Sequence, residues 1–209
     1  MFEPRSIVAR VPSRRADEPA RFAKLFATRI TPMVFFKRKE KAPAEPQRLD
    51  WRLLERGAVA LYYKSSILAA DLGWFRQAKY VVHEMNGTAW DTLATFHADV
   101  QRALAFPEYY AKNLASWIDC LGELPVPDDG GTVLVFRRYD AFAKAQPQLA
   151  QTILDSIEST SRRFLLTGRR LLALVQSDDP RIRFERVGAV PVTWNPREWV
   201  DSERIGGHD

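Results

Sequence analysis

Apolar positions along this 209-residue chain fall into two rhythms. Short runs of apolar, β-branched and aromatic residues, "AVALYY" (58–63), "YVVHEM" (80–85), "TVLVF" (132–136) and "RLLALVQ" (170–176), predict strands. The last two have almost no polar face, as strands covered on both sides do. Between these runs, apolar residues recur every three or four positions and predict helices. "SSILAADLGWFRQAK" opens with Ser65 and Ser66 as candidate N-caps. Residues 91–105 place Leu93, Phe96, His97, Val100, Ala103 and Leu104 on one helical face, and Pro107 stops the run. Further helices are predicted over 113–122, 139–145 and 148–166, the last ended by Gly168 as a C-cap. A strand-like stretch covers 189–193, and Trp194 and Trp199 are expected to pack on the domain. Strands alternating with helices predict an α/β fold on a small parallel sheet.

The first 48 residues follow neither rhythm. Basic clusters ("SRRADEPAR", "FFKRKEKAPAEPQR") alternate with prolines, and only "RFAKLFATRI" has a helical period. This predicts a basic, disordered arm over 1–48, followed by one globular domain over 49–209. Met33 stands as an alternative start, which would leave 1–32 outside the protein.

Charge changes the picture once it is divided along the chain. The net formal charge is +5, but the first 48 residues carry 12 Lys/Arg against 5 Asp/Glu, whereas Tyr80–Asp179 carries 9 against 13. The basicity belongs to the arm, so no specific nucleic-acid partner is expected for the domain. A single cysteine cannot form an internal disulfide, no secretory leader is evident, and the apolar runs fall short of the roughly 20 residues of a membrane span. The expected compartment is the cytoplasm.

Candidate catalytic chemistry is sparse. His83 falls on a strand, His97 on an inward helical face and His208 near the C-terminus, with no metal-ligand spacing, no Gly-x-Ser-x-Gly and no phosphate-cradling glycine loop. No enzyme, metal or cofactor is expected. Arg162, Arg163, Arg169 and Arg170 crown the C-terminal end of the long helix, where cations suit the dipole. With the arm, this cluster motivates a competing reading as a nucleic-acid-binding or regulatory adaptor.

The informative segment is "FPEYYAKNLASWIDCLGEL" (106–124). At about 100° per residue, Leu114, Trp117, Cys120 and Leu121 gather on an inward arc, and Ala115, Ser116, Ile118, Asp119 and Gly122 on an outward one. Cys120 reads as a small buried hydrophobe. The outward arc is flat, partly apolar and bears one charge, Asp119. Two readings stand: a solvated helix with an exposed isoleucine, or a contact surface with a central acid. Tyr109 and Tyr110, adjacent in an extended loop, point opposite ways, one inward and one out.

Residues 106–121, with Pro-Glu-Tyr-Tyr, two residues, Asn-Leu, four residues and Asp-Cys-Leu, resemble the central segment of the barstar family, intracellular inhibitors of the secreted ribonuclease barnase. The resemblance runs from "VVHEMNG" through the helix with His97 to "TVLVFRRYDAF" and "LLALV". It implies a three-stranded parallel core with four helices over 79–179, enlarged here by an N-terminal βα unit and a C-terminal extension containing "VTWNP". It further implies a non-catalytic protein, monomeric when free, whose loop and second helix plug the active site of a secreted or toxin ribonuclease. The partner-binding positions carried over are Tyr109, Asn113, Ala115, Ile118, Asp119 and Gly122, with Asp119 standing where substrate phosphate would lie. Ala115 replaces a second family acid, Ile118 an interface tryptophan, Gly122 a threonine and Leu124 another tryptophan. Two further acid positions fall at Ser159 and Arg163 or, with a one-residue slip, at Glu158. The implied target is therefore a related but not identical nuclease.

Overall fold

The computed structural model describes residues 48–127 and 129–199. The arm predicted over 1–48, apart from Arg48, lies outside them, as do Met33 and His208. In chain order the elements are α1 (Leu49–Leu54), β1 (Val59–Tyr62), α2 (Ser65–Gln77), β2 (Tyr80–Asn86), α3 (Leu93–Ala103), α4 (Leu114–Gly122), β3 (Gly131–Arg137), α5 (Tyr139–Ala145), α6 (Pro147–Leu165), β4 (Leu171–Gln176) and β5 (Thr193–Trp194).

The five strands form one parallel sheet in the order β2-β3-β4-β1-β5. Strands β2 to β4 are consecutive neighbours, the three-stranded core that the resemblance implies. The N-terminal βα unit adds β1 beside β4, and the C-terminal segment adds β5 beyond it. Alternation along each strand supplies two cores. Leu134, Phe136, Ala173 and Val175 face α3 to α6. Val133, Val135, Leu172 and Leu174 face α1 and α2. With both faces covered, β3 and β4 are almost wholly apolar, which is why they read as continuous runs.

Two local expectations need correction. Ser65 and Ser66 are the first helical residues of α2, and Lys64 is an N-cap that makes no side-chain bond. The backbone N–H groups of Tyr63 and Lys64, just before the helix, donate to the Glu198 carboxylate at 3.0 and 3.1 Å, so the C-terminal segment fixes the chain's entry into α2. The strand expected at 189–193 is confined to Thr193–Trp194. Val187 and Val190 close an antiparallel turn in which Ala189 has φ +72°, and Pro191 lacks the N–H a ladder needs.

The C-terminal segment is fastened to the βα unit through a buried cluster on α2. The Tyr62 hydroxyl and Asn195 Nδ2 each donate to Asp71 at 2.9 Å, and the Arg197 guanidinium also pairs with Asp71. Trp194 packs against the core, whereas Trp199 is 43% exposed, with the Arg56 guanidinium 4.2 Å above its ring.

Candidate site on the fourth helix

The loop before α4 is held from inside. Phe106 and Tyr110 are buried with ring centroids 5.0 Å apart, and the Tyr110 hydroxyl is bonded to Nδ1 of His97 on α3. Burial pushes the Tyr110 hydroxyl pKa up and the His97 imidazole pKa down. With its neighbour anchored at 3% exposure, Tyr109 is thrown outward and is 71% exposed. One tyrosine points inward and one outward as expected, but the cause is different: the segment is a turn rather than an extended loop, closed by the Tyr110 N–H donating to the Pro107 carbonyl at 3.0 Å.

Lys112, at φ +54°, turns the chain into the helix. Asn113 is the N-cap: its Oδ1 accepts from the Ser116 N–H at 2.9 Å while Ser116 Oγ accepts from the Asn113 N–H at 3.2 Å. The inward arc docks α4 on α6, with the Trp117 indole N–H donating to Ser156 Oγ at 2.7 Å inside the core. Cys120 is buried among apolar side chains, and burial raises its thiol pKa. Ala115 and Asp119 are exposed on the outward arc, and Ile118 retains 40% of its surface.

Tyr109, Ile118, Asp119, Gly122, Glu123 and Arg163 line one open cleft of about 410 Å³. The Tyr109 hydroxyl donates to Glu123 at 3.0 Å, and that bond raises its pKa. The Asp119 carboxylate has no hydrogen-bond or ion-pair partner among the described residues. A second groove of about 440 Å³ runs from Ile118 along α6 past Asp155, Ser159 and Arg162.

Of the six expected positions, Tyr109, Ile118, Asp119 and Gly122 meet in the cleft. Asn113 and Ala115 lie toward the start of α4 and do not line it. Glu158 is no surface acid: it is 3% exposed, accepts the Ala58 N–H at 2.6 Å and pairs with Arg162 at 3.0 Å. A buried backbone donor from the N-terminal βα unit has claimed it. Glu123 is the acid that sequence reasoning passed over, although its four-residue spacing from Asp119 places both on one side. Arg163 was read as part of a helix-end crown, yet it enters the cleft from α6.

Among the described residues, no three His, Cys, Asp or Glu side chains are placed to hold a metal ion, and no helix is long and apolar enough to cross a membrane. The family model described as Barstar (barnase inhibitor) matches residues 80–176. That span opens on the first residue of β2, closes on the last of β4 and contains every residue of the cleft. No curated protein matches the chain.

Proposed function

The chain belongs to the barstar family through residues 80–176, and from this we propose that it is a protein inhibitor that binds a ribonuclease, or a ribonuclease-like toxin, and occludes its active site. One observation carries the reading. Asp119 presents a carboxylate with no partner among the described residues from the outward face of α4, flanked by the exposed Tyr109 ring and Ile118. A ribonuclease must build a cationic pocket for phosphate, and a carboxylate on a rigid helix is a ready substitute for that anion. Tyr109 and Ile118 would exclude water around the pair and so lower the local dielectric. The inhibitor performs no chemistry and requires no cofactor, and the reading places it in the cytoplasm as a monomer until it meets its nuclease.

The competing adaptor reading draws on the arginine crown of α6, and the packing gives it little support. Arg162 is paired with Glu158, Arg169 lies 4.2 Å over the Phe164 ring, and Arg170 sits 3.6 Å from the buried Asp50 carboxylate. Three of the four cations are thus engaged within the domain. The deciding experiment titrates the full chain into barnase and other metal-independent ribonucleases while RNA cleavage is followed. The inhibitor reading expects one nuclease to be silenced at one-to-one stoichiometry. Undiminished cleavage across the panel, with salt-sensitive RNA binding by the domain, would favour the adaptor.

A further inference from the structure

Arg163 is exposed in the last turn of α6, and its guanidinium reaches toward Gly122 of α4. Nη2 rests 2.9 Å from the point where a Cβ on Gly122 would sit, with Cζ at 3.8 Å. A side chain at 122 would push this guanidinium aside. The neighbouring Arg162 turns the other way and is neutralised by Glu158. Arg163 is not: among the described residues it makes no ion pair, and its one side-chain hydrogen bond is a 3.4 Å contact to Thr160 Oγ1. It shares the cleft with Asp119 and Glu123 without pairing to either. The cleft therefore presents two carboxylates and one guanidinium, each with capacity left for an outside group.

We propose that Arg163 is a second recognition residue, which reads a carboxylate of the partner next to the cationic pocket that takes Asp119. This deepens the inhibitor reading and rests on it. The partner it fits is a nuclease whose contact surface alternates in sign. The chemistry of RNA cleavage supplies such a surface: an enzyme that uses the 2′-hydroxyl as nucleophile needs a proton acceptor beside its phosphate-binding cations, and a carboxylate suits that task. An all-acidic plug would be repelled by that carboxylate, whereas a planar guanidinium can bind it with two parallel hydrogen bonds. The pairing of Gly122 with Arg163 thus sets which nucleases the face accepts.

The test uses the full chain against barnase and other metal-independent ribonucleases, with inhibition constants read from titrated RNA cleavage. For the nuclease that the wild type blocks, Arg163→Glu should weaken inhibition by about tenfold or more, since facing like charges is costly at an interface. Gly122→Ala moves the guanidinium without removing charge. It should weaken inhibition when Arg163 is present and change nothing in an Arg163→Gln background. Thermal unfolding of each variant separates these effects from lost folding. Equal or tighter inhibition by Arg163→Glu, with Asp119→Ala still damaging, would overturn the role of Arg163 and leave the inhibitor reading standing. Unchanged inhibition by Asp119→Ala, or no inhibition by the wild type, would overturn both.

Discussion

The hydroxyl of Tyr109 donates to the carboxylate of Glu123 at 3.0 Å, tying the loop before α4 to the residue that ends it. The bond spans the cleft in which Asp119 lies. Free side chains of this size lose rotamer freedom when they are trapped at an interface, so a ring already restrained binds at lower entropic cost.

Tyr109→Phe should therefore leave thermal stability unchanged, because both partners are exposed. It should weaken nuclease inhibition by a few-fold, since the ring must then be ordered on binding. Glu123→Gln should have a smaller effect of the same sign. Inhibition titrations beside melting curves check both, and a large drop in melting temperature would show that the pair serves the fold.

Glu158 gives the opposite pattern. Glu158→Ala strands the buried Ala58 N–H and removes the partner of Arg162. The expected cost is about 2–3 kcal/mol of stability, read from urea unfolding. Inhibition by the fraction that remains folded should match the wild type, since the carboxylate never reaches the surface.

His97 should make the domain sensitive to acid. Burial holds its pKa below the ordinary value of 6.5. As pH falls below about 6.5, the unfolded chain takes up a proton that the folded imidazole resists, so the contribution is intact above that pH and lost progressively below it. Urea midpoints should decline more steeply between about pH 7 and pH 5 for the wild type than for His97→Phe. Parallel slopes would remove His97 from the account.

The architecture was legible in the sequence because β3 and β4 are buried on both faces and the helices on one, which leaves distinct apolar periods. The inward position of Cys120 followed from the same helical period, whereas Tyr109 and Tyr110 part at a turn closed onto Pro107 and not in the extended loop that the sequence suggests. Contacts between distant segments were not legible. Glu158 carries no local mark of being claimed by Ala58, one hundred residues earlier in the chain. Nor does Arg163 announce that Gly122 offers it a berth, since the two meet only when α4 packs on α6. The Glu198 carboxylate that holds the chain at its entry into α2 is the same kind of contact, made by a side chain remote in sequence.

The carboxylate of Asp119 is the centre of the account, and its removal is the most direct test. An inhibition titration comparing Asp119→Ala with the wild type, against the ribonuclease that the wild type blocks, should show a loss of about 2–5 kcal/mol, some 30-fold or more. That is the general range for truncating one partner of a buried interfacial charge pair. The melting temperature should not fall, because the side chain has no partner among the described residues. An unchanged inhibition constant for a folded Asp119→Ala variant would contradict the claim that this face occupies a phosphate site.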